Sequence, residues 1–297
     1  MTTPPTLTDR AALSLHRTRA GLAPAEFLQR RAAEEVSERL KEVNKSFQDV
    51  AIVGPMADIW REVLLASGAI ASAQIVEDAP ALPLTATSQD LVIHALALHW
   101  ADDPVGQLVQ MRQALRPDGL MIAASFGGQS LSELRAVLAE AELDIRGGLS
   151  PRVAPMGELR DMGGLLQRAG FALPVADADV VSVTYSDALA LMRDLRAMGE
   201  GNALAARDRR APPRALFAQA AARYAAAYPA EEGRIRATAE IIYLTGWAPS
   251  DTQQQPLRPG SATSRLADAL GTQERPAGET TSGAVGEATA RGGPKDI

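Results

Sequence analysis

Glu77 and Asp78 close a short apolar run, and Ala79-Pro80-Ala81-Leu82-Pro83-Leu84 separates them from a second run opened by Gln89-Asp90. An acid placed at the carboxyl ends of parallel strands does one kind of chemistry well. It holds the hydroxyls or the amine of a nucleoside, because open α/β sheets bind ligands along that edge. A nucleoside also needs a neighbouring turn without side-chain bulk and an apolar wall for its base. Gly54, after Asp49-Val50-Ala51-Ile52-Val53, is the candidate turn, and His94-Ala95-Leu96 is the candidate wall. The cofactor-binding set is therefore Gly54, Glu77, Asp78, Ala79, His94, Ala95 and Leu96. Its turn is crowded: Pro55, Met56, Ala57 and Asp58 follow Gly54, where a dinucleotide loop has spaced glycines. The segment reads equally well as a plain strand-to-helix turn.

His94, His99 and Asp102 or Asp103 form a second constellation. Two histidines and a carboxylate can hold ferrous iron with open positions. His94 belongs to a strand and His99 lies beyond its end, so the two point in unrelated directions. A polar rim with Trp100 below it is the simpler reading, and no metal site is assigned. No paired acid and base stands out, and no catalytic residue is assigned. Arg207-Asp208-Arg209-Arg210 reads as a solvated loop before a helix, and Tyr224 and Tyr228, four apart, as a packing pair.

These residues need a scaffold of alternating strands and helices. Short apolar runs at 49–53, 73–77, 90–96 and 120–126 read as buried parallel strands. Helical patterns fall at 56–67, ended by Gly68, and at 104–115, ended by the Arg116-Pro117-Asp118-Gly119 turn. Ser130-Leu131-Ser132-Glu133 has the spacing of a capping box and predicts a helix to Leu143. Further on, 156–169, 187–198 and 212–228 are helical. Phe171–Val175 and Val180–Tyr185 predict a hairpin turning at Ala176-Asp177-Ala178-Asp179, and 237–247 a last strand. The alternation predicts an α/β fold with a doubly wound, Rossmann-like sheet and a C-terminal helical and β addition. Residues 1–45 read as an N-terminal lead-in with an amphipathic helix from Pro24 to Val43, and 46–248 as the main domain. Residues 249–297 read as a tail rich in Pro, Gly, Gln, Ser and Thr, disordered from about 272.

The 297 residues include no cysteine, which excludes disulfides, thiolate metal sites and thiol nucleophiles. A formal net charge of −6 argues against nucleic acid as a partner. The longest apolar run, Leu91 to Trp100, is too short to cross a bilayer, which takes about 20 residues. The first residues lack the features of a secretory signal, so the expected setting is cytoplasmic.

Asp78-Ala79-Pro80-Ala81-Leu82-Pro83-Leu84 with Gln89-Asp90-Leu91-Val92 resembles a signature of class I S-adenosylmethionine-dependent methyltransferases. Leu96-Ala97-Leu98-His99-Trp100, Leu115-Arg116-Pro117-Asp118-Gly119 and Phe126-Gly127-Gly128-Gln129-Ser130 resemble one branch of them. So do Gly148-Leu149-Ser150-Pro151, Met198-Gly199-Glu200-Gly201-Asn202 and Ile242-Tyr243-Leu244-Thr245-Gly246-Trp247. That branch is the complex I assembly family, which includes a protein arginine hydroxylase. The resemblance covers roughly residues 25–270. It implies S-adenosylmethionine as cofactor, with Asp78 at the adenine edge, and a subunit of respiratory NADH dehydrogenase as protein partner. The implied activity is methyl transfer or arginine hydroxylation on that protein.

The departures are specific. Ile52, Met56 and Asp58 stand where the family has an acid and glycines. Asp78 lies only 24 positions after Gly54, room for one helix and one strand, so one β–α unit with its ribose-binding acid is missing. The alternative is a non-catalytic assembly chaperone with a degenerate pocket. An NAD-type oxidoreductase would need the glycines this turn lacks.

Overall fold

Val50-Ala51-Ile52-Val53 alternates its side chains between two buried faces, and this alternation organises the whole molecule. In the computed structural model, which describes residues 6–253 and 271, helices cover both sides of one sheet. The elements run α1 (Arg10–Ala20), α2 (Phe27–Glu42), β1 (Val50–Val53), α3 (Ala57–Ala66), β2 (Gln74–Val76) and β3 (Gln89–His94). Then come α4 (Pro104–Ala114), β4 (Leu115–Phe126), α5 (Ser132–Arg146), α6 (Leu159–Arg168) and β5 (Ala172–Tyr185). The chain continues through α7 (Ala188–Ala197), α8 (Arg214–Ala227) and β6 (Ile235–Trp247). The tail expected beyond residue 253 lies outside the described residues, Gly271 apart.

The sheet has six strands in the order β2-β1-β3-β4-β6-β5. β2, β1, β3 and β4 are parallel, while β6 runs antiparallel to both β4 and β5. Between Gly54 and Asp78 the chain makes only α3 and β2. Val50, Ile52, Leu91, Ile93, Leu120 and Ile122 face α2 and α3; Ala51, Val53, Val92, Met121 and Ala123 face α4 and α6. Beyond the sheet, α5, α7 and α8 pack around Ile235 and Ala237 at the far end of the β5–β6 ribbon.

Three local expectations are corrected. The hairpin is instead one 14-residue strand, β5, paired along its length with β6. Asp177 and Asp179, which look like turn formers, alternate to the side facing α2. There Asp177 accepts two hydrogen bonds of 2.7 Å from Arg39, and Asp179 accepts from Arg31 at 2.9 and 3.1 Å. Arg39 also lies over the Tyr243 ring, 4.4 Å from its centroid. The capping box does not form either: Ser130 exchanges two 3.0 Å hydrogen bonds with the Glu240 backbone, and Glu133 accepts from the Thr238 hydroxyl. Lastly, Arg116-Pro117-Asp118-Gly119 does not separate helix from strand. It bulges within β4, shifting the register against β3, and Lys45 binds the Asp118 carboxylate at 2.8 Å.

Gly54 ties β1 to its neighbours, donating its N–H to the Val76 carbonyl at 3.2 Å. With φ at +154°, a Cβ there would meet the Ala95 oxygen at 2.7 Å and the Ala95 Cβ at 2.9 Å. Gly54→Ala is therefore expected to destabilise the fold by about 1–3 kcal/mol. Urea unfolding should show a lower midpoint with an unchanged slope.

Candidate functional site

β1 and β3 end side by side, with Val53 opposite His94 and the Ala95 N–H donating to the Val53 carbonyl at 2.7 Å. Gly54, His94, Ala95 and Leu96 are thus brought together at the carboxyl edge, all of them buried. Leu96 turns the chain out of the strand with φ of +45°. Asp78 follows β2 and joins this group; Glu77 points into solvent and Ala79 is half-buried.

Asp78 is only 5% exposed, and its carboxylate is fully engaged. Arg17 donates from Nη1 to Oδ2 at 2.8 Å, and Arg10 approaches Oδ1 at 3.5 Å while donating to the Asp78 carbonyl at 2.5 Å. Gln107 adds a long contact of 3.4 Å to Oδ1. Burial alone would raise the pKa of Asp78, but His94, Arg17 and Arg10 outweigh it and hold the group below the ordinary aspartate value. Both arginines come from α1, which sequence reasoning missed because its apolar positions are few. Its signal was Asp9, whose side chain caps the helix by accepting from the Ala12 N–H at 3.1 Å.

The histidines part company. His94 donates from Nε2 to the Gln107 oxygen at 3.0 Å, since that oxygen can only accept, and complete burial depresses its pKa. His99 instead donates from Nε2 to Oε2 of Glu200 at 3.0 Å. Asp102 accepts the N–H groups of Leu7 and Thr8 at 2.8 and 2.9 Å, and Asp103 caps α4. Arg207 and Asp208 are used internally too, bonding Asp9 and Arg146 at 2.9 and 2.7 Å. Tyr224 is buried, donates its hydroxyl to the Arg236 carbonyl at 3.0 Å and meets the Tyr228 ring edge-on.

Glu200 opens a feature that sequence reasoning did not find. A cavity of about 230 Å³ lies between α5, α7, the start of α8 and the ends of β4 and β6. Leu131, Leu134, Met156, Met192 and Leu195 give it an apolar wall, with Trp100 and Phe126 as its aromatic surfaces. Glu200 carries the one negative charge among the lining residues. Oε2 of Glu200 accepts from both His99 and the Trp100 indole, the latter at 2.8 Å. Burial raises the pKa of Glu200, yet His99, Arg17 and Trp100 together keep it below the ordinary value.

Residues 34–123 match the methyltransferase domain family. The arginine-hydroxylase NDUFAF5, mitochondrial, of Danio rerio is 41% identical over 194 residues, covering 65% of this chain and 60% of its own length. The human protein of the same name is 40% identical over 195 residues, covering 65% and 56%. A malonyl-[acyl-carrier protein] O-methyltransferase of Laribacter hongkongensis is 38% identical over 192 residues, covering 64% and 61%. Residues 34–123 thus carry a methyltransferase-family domain. The chain spans less than two thirds of the length of the arginine-hydroxylase relatives. The expectation of a cytoplasmic setting is corrected by the same comparison, because these relatives are mitochondrial proteins.

The cofactor of the superfamily does not fit this corner as its side chains stand. Asp78 offers no unengaged oxygen to an adenine amine, Arg17 and Arg10 fill the space beside it, and Gly54 is packed against Ala95. Breaking a buried pair of this kind costs about 3–5 kcal/mol. Asp78→Asn is expected to destabilise by about 3 kcal/mol at pH 7, since its partners are partly exposed. The folded-state pKa lies below the unfolded one, so this stabilisation is complete above the ordinary value of 3.8 and is lost as pH falls through the folded value. Urea unfolding of both proteins from neutral pH downwards should show the gap closing below that point.

Proposed function

We propose that this protein serves a subunit of respiratory NADH dehydrogenase, as a methyltransferase-fold protein that modifies the subunit or helps assemble it. The observation that carries this reading is the apolar cavity beside the carboxyl edge of the sheet, sized for one side chain of a protein rather than a whole cofactor. Small-molecule pockets usually run to about 300–1,000 Å³, and this one holds about 230 Å³. The relatives named for arginine hydroxylation support a protein acceptor. Trp100 and Phe126 place the cavity next to the strand ends where the superfamily does its chemistry. Among the described residues no helix is long and apolar enough to cross a membrane.

Within this reading, Gly54, Asp78, Ala79, His94, Ala95 and Leu96 form a nucleoside corner that opens only if α1 withdraws Arg10 and Arg17. Glu77, exposed beside it, would be the group nearest in sequence to meet a ribose. A second reading is favoured by the arginines themselves: a non-catalytic assembly factor whose cofactor corner is permanently taken by α1.

Two measurements separate these versions. Isothermal titration is expected to show no S-adenosylmethionine binding tighter than millimolar in the wild type; micromolar binding would establish an open corner and refute the plugged one. If the corner opens instead, intact-mass analysis of NADH dehydrogenase subunits, with and without this gene, should show one subunit lacking a methyl group or an oxygen atom. Unchanged masses with impaired assembly would select the non-catalytic version, and unchanged masses with normal assembly would overturn the proposal.

A further inference from the structure

We propose that the free edge of β5 pairs with the same edge of a second copy of this chain, antiparallel about a two-fold axis at Val180. The two sheets then run on as one. This edge lies at the opposite side of the sheet from β2 and Asp78.

β5 is the last strand of the sheet, and among the described residues no strand pairs with its outer side. None of its 14 residues is buried, whereas most of β6 is. The bonding of β6 shows which groups of β5 face outward. The Thr238 and Glu240 carbonyls of β6 accept from the Leu131 and Gly127 N–H groups at 2.9 Å, so these two residues turn away from β5. Ala239 and Ile241 therefore bond to β5, where Val181 and Asp179 stand opposite them. By alternation, Ala176, Ala178, Val180, Ser182 and Thr184 turn their N–H and C=O groups to the free edge. Among the described residues, the one bond made to these groups is from Arg234 to the Thr184 carbonyl, at 2.6 Å.

Proteins that stay monomeric guard such an edge with prolines, bulges, lysines or charges. Here the guards stop early. Leu173 at φ of +48°, Pro174 and the bulge before Val175 protect the start of the strand. From Val175 to Tyr185 the register is unbroken and holds neither proline nor lysine. Asp177 and Asp179 do not guard this stretch, because Arg39 and Arg31 neutralise them from α2. Val180, at its midpoint, is 55% exposed.

The same residues select a second copy as the occupant. A two-fold pairing sets each residue opposite one equally far beyond the axis. With the axis at Val180, Val175 meets Tyr185, Asp177 meets Val183 and Asp179 meets Val181, so no like charges face each other. The outward residues also match: Ala176 exchanges backbone bonds with Thr184, Ala178 with Ser182, and Val180 with its own mate. With the axis at Ala178, Asp177 would face Asp179, an unfavourable pair. β2, the other edge, has three residues and offers no comparable ladder.

Sedimentation equilibrium of the full chain at micromolar concentration should give twice the mass of one chain. Val180→Lys sets two ammonium groups face to face on the axis and should return the mass to that of one chain, while Val180→Ile should keep the dimer. The chain has no cysteine, so single introduced thiols map the contact. Under mild oxidation Val180→Cys should become a covalent dimer, since residues opposite each other in such a ladder lie within disulfide reach. Ile75→Cys, exposed on β2, should not. The thiol pair decides the matter even if Val180→Lys fails to fold. A wild type with the mass of one chain would overturn the pairing, whether another segment of the chain or another protein covers the edge. So would a dimer that survives in a folded Val180→Lys, or one that crosslinks through Ile75→Cys and not through Val180→Cys.

Discussion

A carboxylate taken out of water must bring cations and hydrogen bonds with it, or the fold pays several kcal/mol for its charge. Asp78 sits in that position at the tip of a three-residue strand, and the way it is satisfied determines much around it. Arg17 and Arg10 reach it from α1, so the first helix is drawn over the carboxyl edge of the sheet. The segment before that helix is fixed at the same time. Thr8 bridges Leu204, and Asp102 accepts the two N–H groups leading into α1. The N-terminal segment, the strand edge and the 199–207 loop are therefore held by one connected set of polar contacts.

The same cluster leaves the sheet itself untouched while it covers the carboxyl edge. Shortening the link between β1 and Asp78 to a single helix and strand leaves β2 as the sheet edge beside β1. An acid at the tip of that edge strand would be a lone buried charge without a ligand. Two arginines from the same polypeptide, Arg17 and Arg10, neutralise it. The doubly covered sheet is indifferent to this arrangement, because its core is built from residues that alternate between the α2–α3 and α4–α6 layers and owes nothing to the edge.

Much of this scaffold was legible in the residues. The four parallel strands announce themselves as short apolar runs, and Gly68 and Gly170 mark helix ends with the positive φ that glycine accepts readily. What could not be read was pairing across long sequence distances. Asp177 and Asp179 look like a turn until Arg31 and Arg39 stand opposite them. Ser130 and Glu133 have a cap's spacing, but β6 claims both. α1 shows a weak apolar pattern because much of its binding is ionic, through partners 61 and 68 positions away. Of the candidate site, Gly54, Asp78 and His94 to Leu96 come together in the structure and Glu77 stands in solvent, whereas the cavity escaped notice. Glu200 lies in a glycine-flanked motif whose meaning depends on His99 and Trp100, about a hundred residues earlier.

Those flanking glycines have a consequence of their own. A Cβ at 199 would lie 3.3 Å from Cγ of Arg17, and one at 201 would lie 2.9 Å from the His16 ring. The leading helix can nestle against this turn only because two methyl groups are missing from it. A homologue bearing any larger residue at either place would have to seat the helix farther out, and with it the guanidinium that reaches the strand edge. Bulk at two positions remote from the strand edge thus sets how closely the first helix can lie over it.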